Sequence, residues 1–276
     1  MQPLNALEQS RHLHPHWQDN DNLLTLLQHN AQNYPTQIAM RERDHGIWQE
    51  YSWQDYLQQV LGFAAGLEQL GVKKGDIVLI LGDNRPALYF AMLGAIALCA
   101  IPSPAYPDST PEELSGQIQR EAIRFAVAED QEQVNKLLNV VQLQGEKNLI
   151  QTIIYDDRRG LDQQAHALTQ AFDDIVQQGL QRLQQEPNLQ NELLNRPSIH
   201  DIAALLHSSG TTGVPKGIPL KHGHILYGVR NAANAGYFTE GEVHMAYLPI
   251  AWVGDFIFSI GAALALRFTV NTARLT

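Results

Sequence analysis

Cysteine is nearly missing: Cys99 is the one thiol in 276 residues. A lone cysteine cannot close an internal disulfide, so the chain fits a reducing compartment, and a cytoplasmic location is expected. Its Ala-Leu-Cys-Ala-Ile surroundings suit a small buried side chain better than a catalytic thiol. Basic side chains are also short, 19 Lys and Arg against 29 Asp and Glu, for a net charge of −10. That balance excludes a general nucleic-acid surface, which needs excess positive charge, and leaves room only for a local basic pocket. No apolar run spans a bilayer comfortably. The longest, residues 87–101, is bounded by Pro86 and Pro102 and reads as a buried helix. At most a peripheral membrane contact is expected. Residues 1–22 are polar, rich in His and Gln, and hold no signal-type apolar core.

What is present is the composition of a globular protein, with 44% hydrophobic and 17% charged residues. The length permits one large domain or two smaller ones. Residues 1–21 read as an irregular arm in which His12, His14 and His16 alternate. Without a nearby carboxylate or thiol, a solvated tail is the better reading than a metal site. Leu23, Leu24, Leu26 and Leu27 open a helix that ends before Pro35. Residues 38–41 and 47–51 read as strands around the turn Asp44-His45-Gly46. Ser52 with Asp55 approximates a capping box, and the helix after it stops at Gly71. Residues 77–81 form an apolar strand of the parallel, buried kind. Strands at Ile101-Pro102, 125–128 and 149–155 follow, with a helix between them that starts at Thr110-Pro111-Glu112-Glu113. The alternation predicts an α/β fold of twisted parallel or mixed sheets with flanking helices. Residues 162–197 are dense in Gln, Asn and Leu. A stripe of Leu168, Phe172, Ile175, Val176, Leu180 and Leu183 predicts a helical insert laid on the surface.

The segment Ser208-Ser209-Gly210-Thr211-Thr212-Gly213-Val214-Pro215-Lys216-Gly217 follows a strand at 202–206. Its glycines let the backbone turn tightly and approach a ligand closely. Its hydroxyls and backbone N–H groups can surround an anion, and Lys216 adds a compact positive charge. Together they describe a polyphosphate-binding loop. A flexible Gly-Ser-Thr linker would need no Pro-Lys pair. The P-loop of kinases requires Gly before the Lys and a hydroxyl after it, where this chain has Pro215 and Gly217. Pro219 also forbids an immediate helix, so a short strand must follow, with a helix near residues 222–235.

This loop resembles the phosphate-binding signature of the adenylate-forming superfamily: acyl-CoA synthetases, luciferases and adenylation domains. Tyr51-Ser52-Trp53, Leu70-Gly71-Val72-Lys73-Lys74-Gly75-Asp76, Asp83-Asn84-Arg85-Pro86 and Pro102-Ser103-Pro104-Ala105-Tyr106-Pro107 are similar to that family as well, so the likeness runs from about Asp21 to Arg267. The insert with Phe172-Asp173-Asp174 and Gln178-Gly179, and the stretch Tyr247-Leu248-Pro249-Ile250-Ala251-Trp252-Val253-Gly254-Asp255, look closest to the long-chain fatty-acyl-CoA ligases. Trp252 stands where many relatives have His. The resemblance makes it an aromatic gate on an acyl tunnel, with core packing as the alternative.

The resemblance implies a partial large N-terminal domain over residues 22–276, with a second subdomain beginning at 202. It implies two steps: a carboxylate attacks the α-phosphate of ATP, and CoA thiolate then attacks the acyl-adenylate. Ser208, Ser209, Gly210, Thr211, Thr212, Gly213, Pro215, Lys216 and Gly217 would bind ATP, with Thr211 and Lys216 catalytic. Ser208 would take the part of a Thr associated with Mg²⁺. Trp252 would meet the fatty acid. The family's adenine and ribose sites and its C-terminal lysine are not found before Thr276. A 276-residue chain is therefore expected to be an inactive fragment, with an apolar sheet edge exposed around Phe256 to Ala265. An aryl-acid ligase, a luciferase-like oxidase, a peptide-synthetase adenylation module and a non-catalytic remnant are the alternatives.

Overall fold

The computed structural model describes residues 18–161, 167–208 and 216–273. Local chemistry sets the element boundaries. Helix α1 (Leu23–Asn33) starts where the Asn22 side chain accepts from the Leu24 and Thr25 amides while the Thr25 hydroxyl accepts from the Asn22 N–H. Strands β1 (Ile38–Asp44) and β2 (Ile47–Ser52) are joined by His45 and Gly46, whose φ values of 49° and 81° are those a two-residue primed hairpin turn requires. Ser52 and Asp55 make the reciprocal cap of α2 (Trp53–Gln69), and Gly71 follows it at φ 92°.

The central layer is a parallel sheet of β3 (Ile77–Leu81), β4 (Ile101–Ala105), β5 (Phe125–Ala128), β6 (Thr152–Tyr155) and β7 (Thr169–Ala171), in the order β4-β3-β5-β6-β7. The two-residue period of a strand divides its side chains between two cores. Val78, Ile80, Phe125, Val127 and Ile154 face one, and Leu79, Leu81, Ala126, Ala128 and Ile153 the other. Helix α3 (Pro86–Ala97) lies in the first core and is buried at every position, as the unbroken apolar run requires. Helices α4 (Pro111–Glu121) and α5 (Gln131–Gln144) cover the second with Leu114, Ile118, Val134, Leu137 and Val140.

Helices α6 (Phe172–Gln185) and α7 (Leu189–Asn195) follow. A two-stranded antiparallel sheet of β8 (Ile202–Ser208) and β9 (Lys216–Lys221) then lies beside β4 and leads into α8 (His222–Asn234). A four-stranded sheet is completed across the whole sequence: β10 (Val243–Met245) and β11 (Thr269–Ala273) join the first hairpin in the order β10-β11-β1-β2, with Met40 opposite Val270. Between β10 and β11 the helical run α9 comprises Val253–Asp255, a π-helical stretch Phe256–Ala262, and Ala263–Leu266.

Within residues 162–197, residues 169–171 are the edge strand β7, Leu168 precedes that strand, and α6 begins at Phe172 with Phe172, Ile175 and Val176 buried and Asp173, Asp174, Gln177 and Gln178 exposed. Helix α6 is packed backbone to backbone against α2: a Cβ placed on Gly179 would lie 1.8 Å from the Gly62 carbonyl oxygen, and one on Gly66 would lie 2.4 Å from that of Ile175. Phe63 and Phe172 stack beside this crossing with ring centroids 4.5 Å apart. One expectation is overturned: residues 256–265 do not form an exposed sheet edge. They are helical, and Phe256, Ser259, Ile260 and residues 262–265 are buried, because the face of α9 closes over α8 and α1. The exposed apolar side chains lie just before it, at Val243, Met245 and Tyr247.

Candidate functional site

The two strands around the glycine-rich segment fix its base. Strand β8 pairs with β9 up to Ser208 opposite Lys216, so residues 209–215 join the two ends of one hairpin. Ser209, Gly210, Thr211, Thr212, Gly213 and Pro215 lie outside the described residues, as do His12, His14 and His16. Of the expected ATP-binding set, Ser208, Lys216 and Gly217 are placed. Ser208 and Lys216 are exposed side by side at the open end of the hairpin, and Lys216 has no ion-pair partner among the described residues. Gly217 faces His207, and a Cβ there would come within 3.0 Å of Leu205 Cδ1.

Two clefts open beside this base. The first, about 800 Å³, lies between the exit of β4 and α4 and is lined by Tyr106, Thr110, Gln117, Arg120, His207 and Ser208. The second, about 560 Å³, is more apolar, lined by Leu206, Ile218, Leu220 and Ala251 with Tyr106, His207, Ser208 and Trp252. Their shared wall is the end of β8. Beneath it runs a polar chain that sequence reasoning missed. His207 Nε2 is 2.5 Å from Glu121 Oε1, the other Glu121 oxygen accepts from the Ser103 hydroxyl at 2.8 Å, and Gln117 donates to Ser103 at 3.1 Å. Glu121 ends α4, where the helix dipole favours a cation. An acid at that position was the available signal that a donor must face it.

Trp252 sits at the entrance of α9 with 48% of its surface exposed, on the rim of the apolar cleft. Core packing, the alternative role, is thereby set aside. Three residues on, Asp255 is buried. Its carboxylate accepts from Asn84 Nδ2 at 3.0 Å, Ser259 Oγ at 2.7 Å and the Tyr89 hydroxyl at 3.0 Å. Burial pushes Asp255 up to about 6, against the pull of the hydrogen bonds from Ser259, Tyr89 and Asn84. Asn84 also donates to the Leu248 carbonyl at 2.9 Å, tying the 248–255 segment to the loop after β3.

Ligands of open α/β sheets commonly bind outside the carboxyl ends of the strands, where the strand order reverses. Here that crevice is filled by protein. Arg85 Nε lies 2.6 Å from Glu129 Oε1 and Arg85 Nη1 3.3 Å from Asp156 Oδ2, while Glu129 accepts from the Asp83 amide. Burial lifts Asp156 to about 6 even with Arg85 beside it. A Cβ on Gly82 would meet the Glu129 Cβ at 2.4 Å. Two clefts among the described residues open instead beside the β8–β9 hairpin.

Among the described residues, no group of three or more His, Cys, Asp or Glu side chains is placed to hold a metal ion. A single hydroxyl at Ser208 suits a Mg²⁺ that arrives with phosphate oxygens and keeps waters, the usual habit of that ion, rather than a resident metal. No helix of the described residues is long and apolar enough to cross a membrane.

Residues 27–275 match the family described as AMP-binding enzyme. Long chain acyl-CoA synthetase 8 of Arabidopsis thaliana is 26% identical over 231 residues, 78% of this chain and 30% of that protein. 4-Coumarate–CoA ligase 3 of Oryza sativa subsp. japonica is 31% identical over 193 residues, 68% of this chain and 30% of that protein. The fold is shared with the luciferase-like enzyme of the nonluminescent Zophobas morio mealworm, at a TM-score of 0.74 and 17% identity over 94% of this chain and 55% of that one. The chain thus spans under a third of the length of the two curated relatives named.

Proposed function

The chain belongs to the AMP-binding enzyme family, and from that premise we propose that the whole protein activates a fatty acid with ATP and transfers the acyl group to CoA. In the first half-reaction the acid's carboxylate oxygen attacks the α-phosphorus, and pyrophosphate leaves. In the second, the CoA sulfur attacks the acyl carbon, and AMP leaves. The observation that carries the reading is the hairpin base. An exposed lysine without an ion-pair partner among the described residues stands beside Ser208, at the two ends of a hydroxyl- and glycine-rich turn, in a chain of net charge −10. Ser208, Ser209, Gly210, Thr211, Thr212, Gly213, Pro215, Lys216 and Gly217 would hold the triphosphate. Lys216 and Thr211 would stabilise charge that develops as pyrophosphate departs. Ser208 would be the protein oxygen for a Mg²⁺ that accompanies the nucleotide and would offset phosphate charge.

The fatty acid is supported by two features. The cleft next to the hairpin has apolar walls of Leu206, Ile218, Leu220 and Ala251, and Trp252 stands at its rim. One relative is a long-chain acyl-CoA synthetase by name. An aryl acid is the second reading, favoured by the 31% identity to a 4-coumarate ligase. Acid-dependent exchange of labelled pyrophosphate into ATP by the whole protein tests both, with hexadecanoate, octanoate and 4-coumarate as acids. The Lys216→Ala variant is expected to lower the exchange rate by roughly 10²–10³-fold, the range for removing one fixed charge-stabilising donor. Exchange at the unmodified rate in that variant refutes the placement of the triphosphate. Exchange with none of these acids refutes the activity.

A further inference from the structure

We propose that Asp255 is a positioning residue for Trp252, and that the clamp of Asn84, Tyr89 and Ser259 around its carboxylate sets which acids the apolar cleft admits. The inference rests on the reading of Trp252 as the gate of that cleft. A buried carboxylate is costly and is retained only when its oxygens are satisfied. Asp255 is 1% exposed, and its oxygens take donors from three separate places. Asn84 comes from the loop after β3, Tyr89 from the wholly buried α3, and Ser259 from the next turn of its own helix.

What the cluster does is fix the start of α9. Trp252 is the residue from which that helix departs, its carbonyl accepting from the Phe256 amide at 3.3 Å and its amide donating to the Pro249 carbonyl at 2.8 Å. Asn84 holds both Asp255 and the Leu248 carbonyl, so the residues on either side of Trp252 are tied to one amide. Gly254 lies close against Leu248: a Cβ there would come 2.8 Å from Leu248 Cδ1. Directly after Asp255 the helix widens to π geometry over Phe256–Ala262. Such stretches are rare and occur frequently at functional sites. Trp252 is 48% exposed and heads the helix that Asp255 anchors, so the clamp fixes the backbone from which its side chain projects over the cleft.

The test is a double-mutant cycle in the whole protein, Asp255→Asn with Trp252→Ala, read as the ratio of kcat/KM for hexadecanoate to that for octanoate and for 4-coumarate in pyrophosphate exchange. Asp255→Asn is expected to shift that ratio by roughly fivefold, the equivalent of one lost hydrogen bond. In the Trp252→Ala background it should shift it by less than about twofold, because the side chain being aimed is gone. Ser259→Ala removes one donor and serves as the milder variant should Asp255→Asn not accumulate. It is expected to shift the ratio in the same direction. A merely structural role would lower melting temperature and affect all three acids alike, so an unchanged ratio overturns the proposal. Equal shifts with and without Trp252 overturn it too, while leaving the gate in place. If Trp252→Ala itself leaves the ratio unmoved, the gate reading falls and this proposal falls with it.

Discussion

Replacing Gly179 by Ala should be among the most damaging single-methyl additions this chain can receive. The new Cβ would sit 1.8 Å from the Gly62 carbonyl oxygen and 2.7 Å from the Gly66 nitrogen, where real contacts do not fall below 3.0 Å. The obstacle is backbone on both sides, so no side chain can rotate away, and α2 and α6 must part by more than about 1 Å. A gap of that size forfeits roughly a quarter to a half of each dispersion contact across the interface, including the stack of Phe63 on Phe172. Alanine gains about 0.5–1 kcal/mol of helix propensity over glycine. Overpacking costs about 1–3 kcal/mol, and more where backbone must move. We expect a net loss of about 3 kcal/mol, a fall in Tm of roughly 6–12 °C for a chain of this size. Gly228→Ala is the matched control. It too replaces a glycine inside a helix, but nothing lies within 4 Å of the added carbon and the site is exposed. It should raise Tm by roughly 1–4 °C. Differential scanning fluorimetry of both variants decides the matter. A Gly179→Ala melting point within about 2 °C of the parent would refute the backbone contact between α2 and α6.

Three further outcomes are expected. Ala122 ends α4 in the left-handed region at φ 52°, so Ala122→Gly should stabilise by up to about 1 kcal/mol, measured as a higher urea midpoint. Asp255 is raised from 3.8 to about 6, so the fold favours its protonated form. Its contribution is fully present below pH ~4 and declines by about 3 kcal/mol as pH rises through 6. Asp255→Asn should therefore flatten the fall in denaturation free energy between pH 4 and 7, an equal fall in both proteins counting against it. Glu129→Ala strips Arg85 of its closest partner in a buried position and should cost about 3–5 kcal/mol, visible as loss of a cooperative melt.

Most elements could be read from local pattern, because their causes are local. The capping pairs Ser52–Asp55 and Thr110–Glu113, the Pro at the start of α4, and the apolar runs of β3, α3 and β5 all act within a few residues. What escaped was set by distant partners. Gly179 sits in a Gln-rich stretch that looks like solvent-facing helix, and only Gly62 and Gly66, more than a hundred residues earlier, reveal that it is a contact point. Residues 256–265 are apolar enough for an edge strand or a buried helix, and periodicity alone does not separate the two for a short run. At the candidate site, the hairpin strands around the glycine-rich segment were legible from Pro219 and the apolar strand before it. The chain from His207 through Glu121 to Ser103 was not, because its members are scattered over 104 positions and each is unremarkable where it stands.

The parallel pairing of β1 with β11 carries a consequence for how the molecule is made. Met40 waits for Val270, some 230 residues later in the chain. At roughly 5–20 residues per second of ribosomal elongation, the first hairpin is exposed for about ten seconds to the better part of a minute before its partner is synthesised. The five-stranded sheet, whose strands all fall between residues 77 and 171, can close well before that. During this interval the β1 side of the first hairpin is left unpaired, an open strand edge of the kind that invites association with other chains.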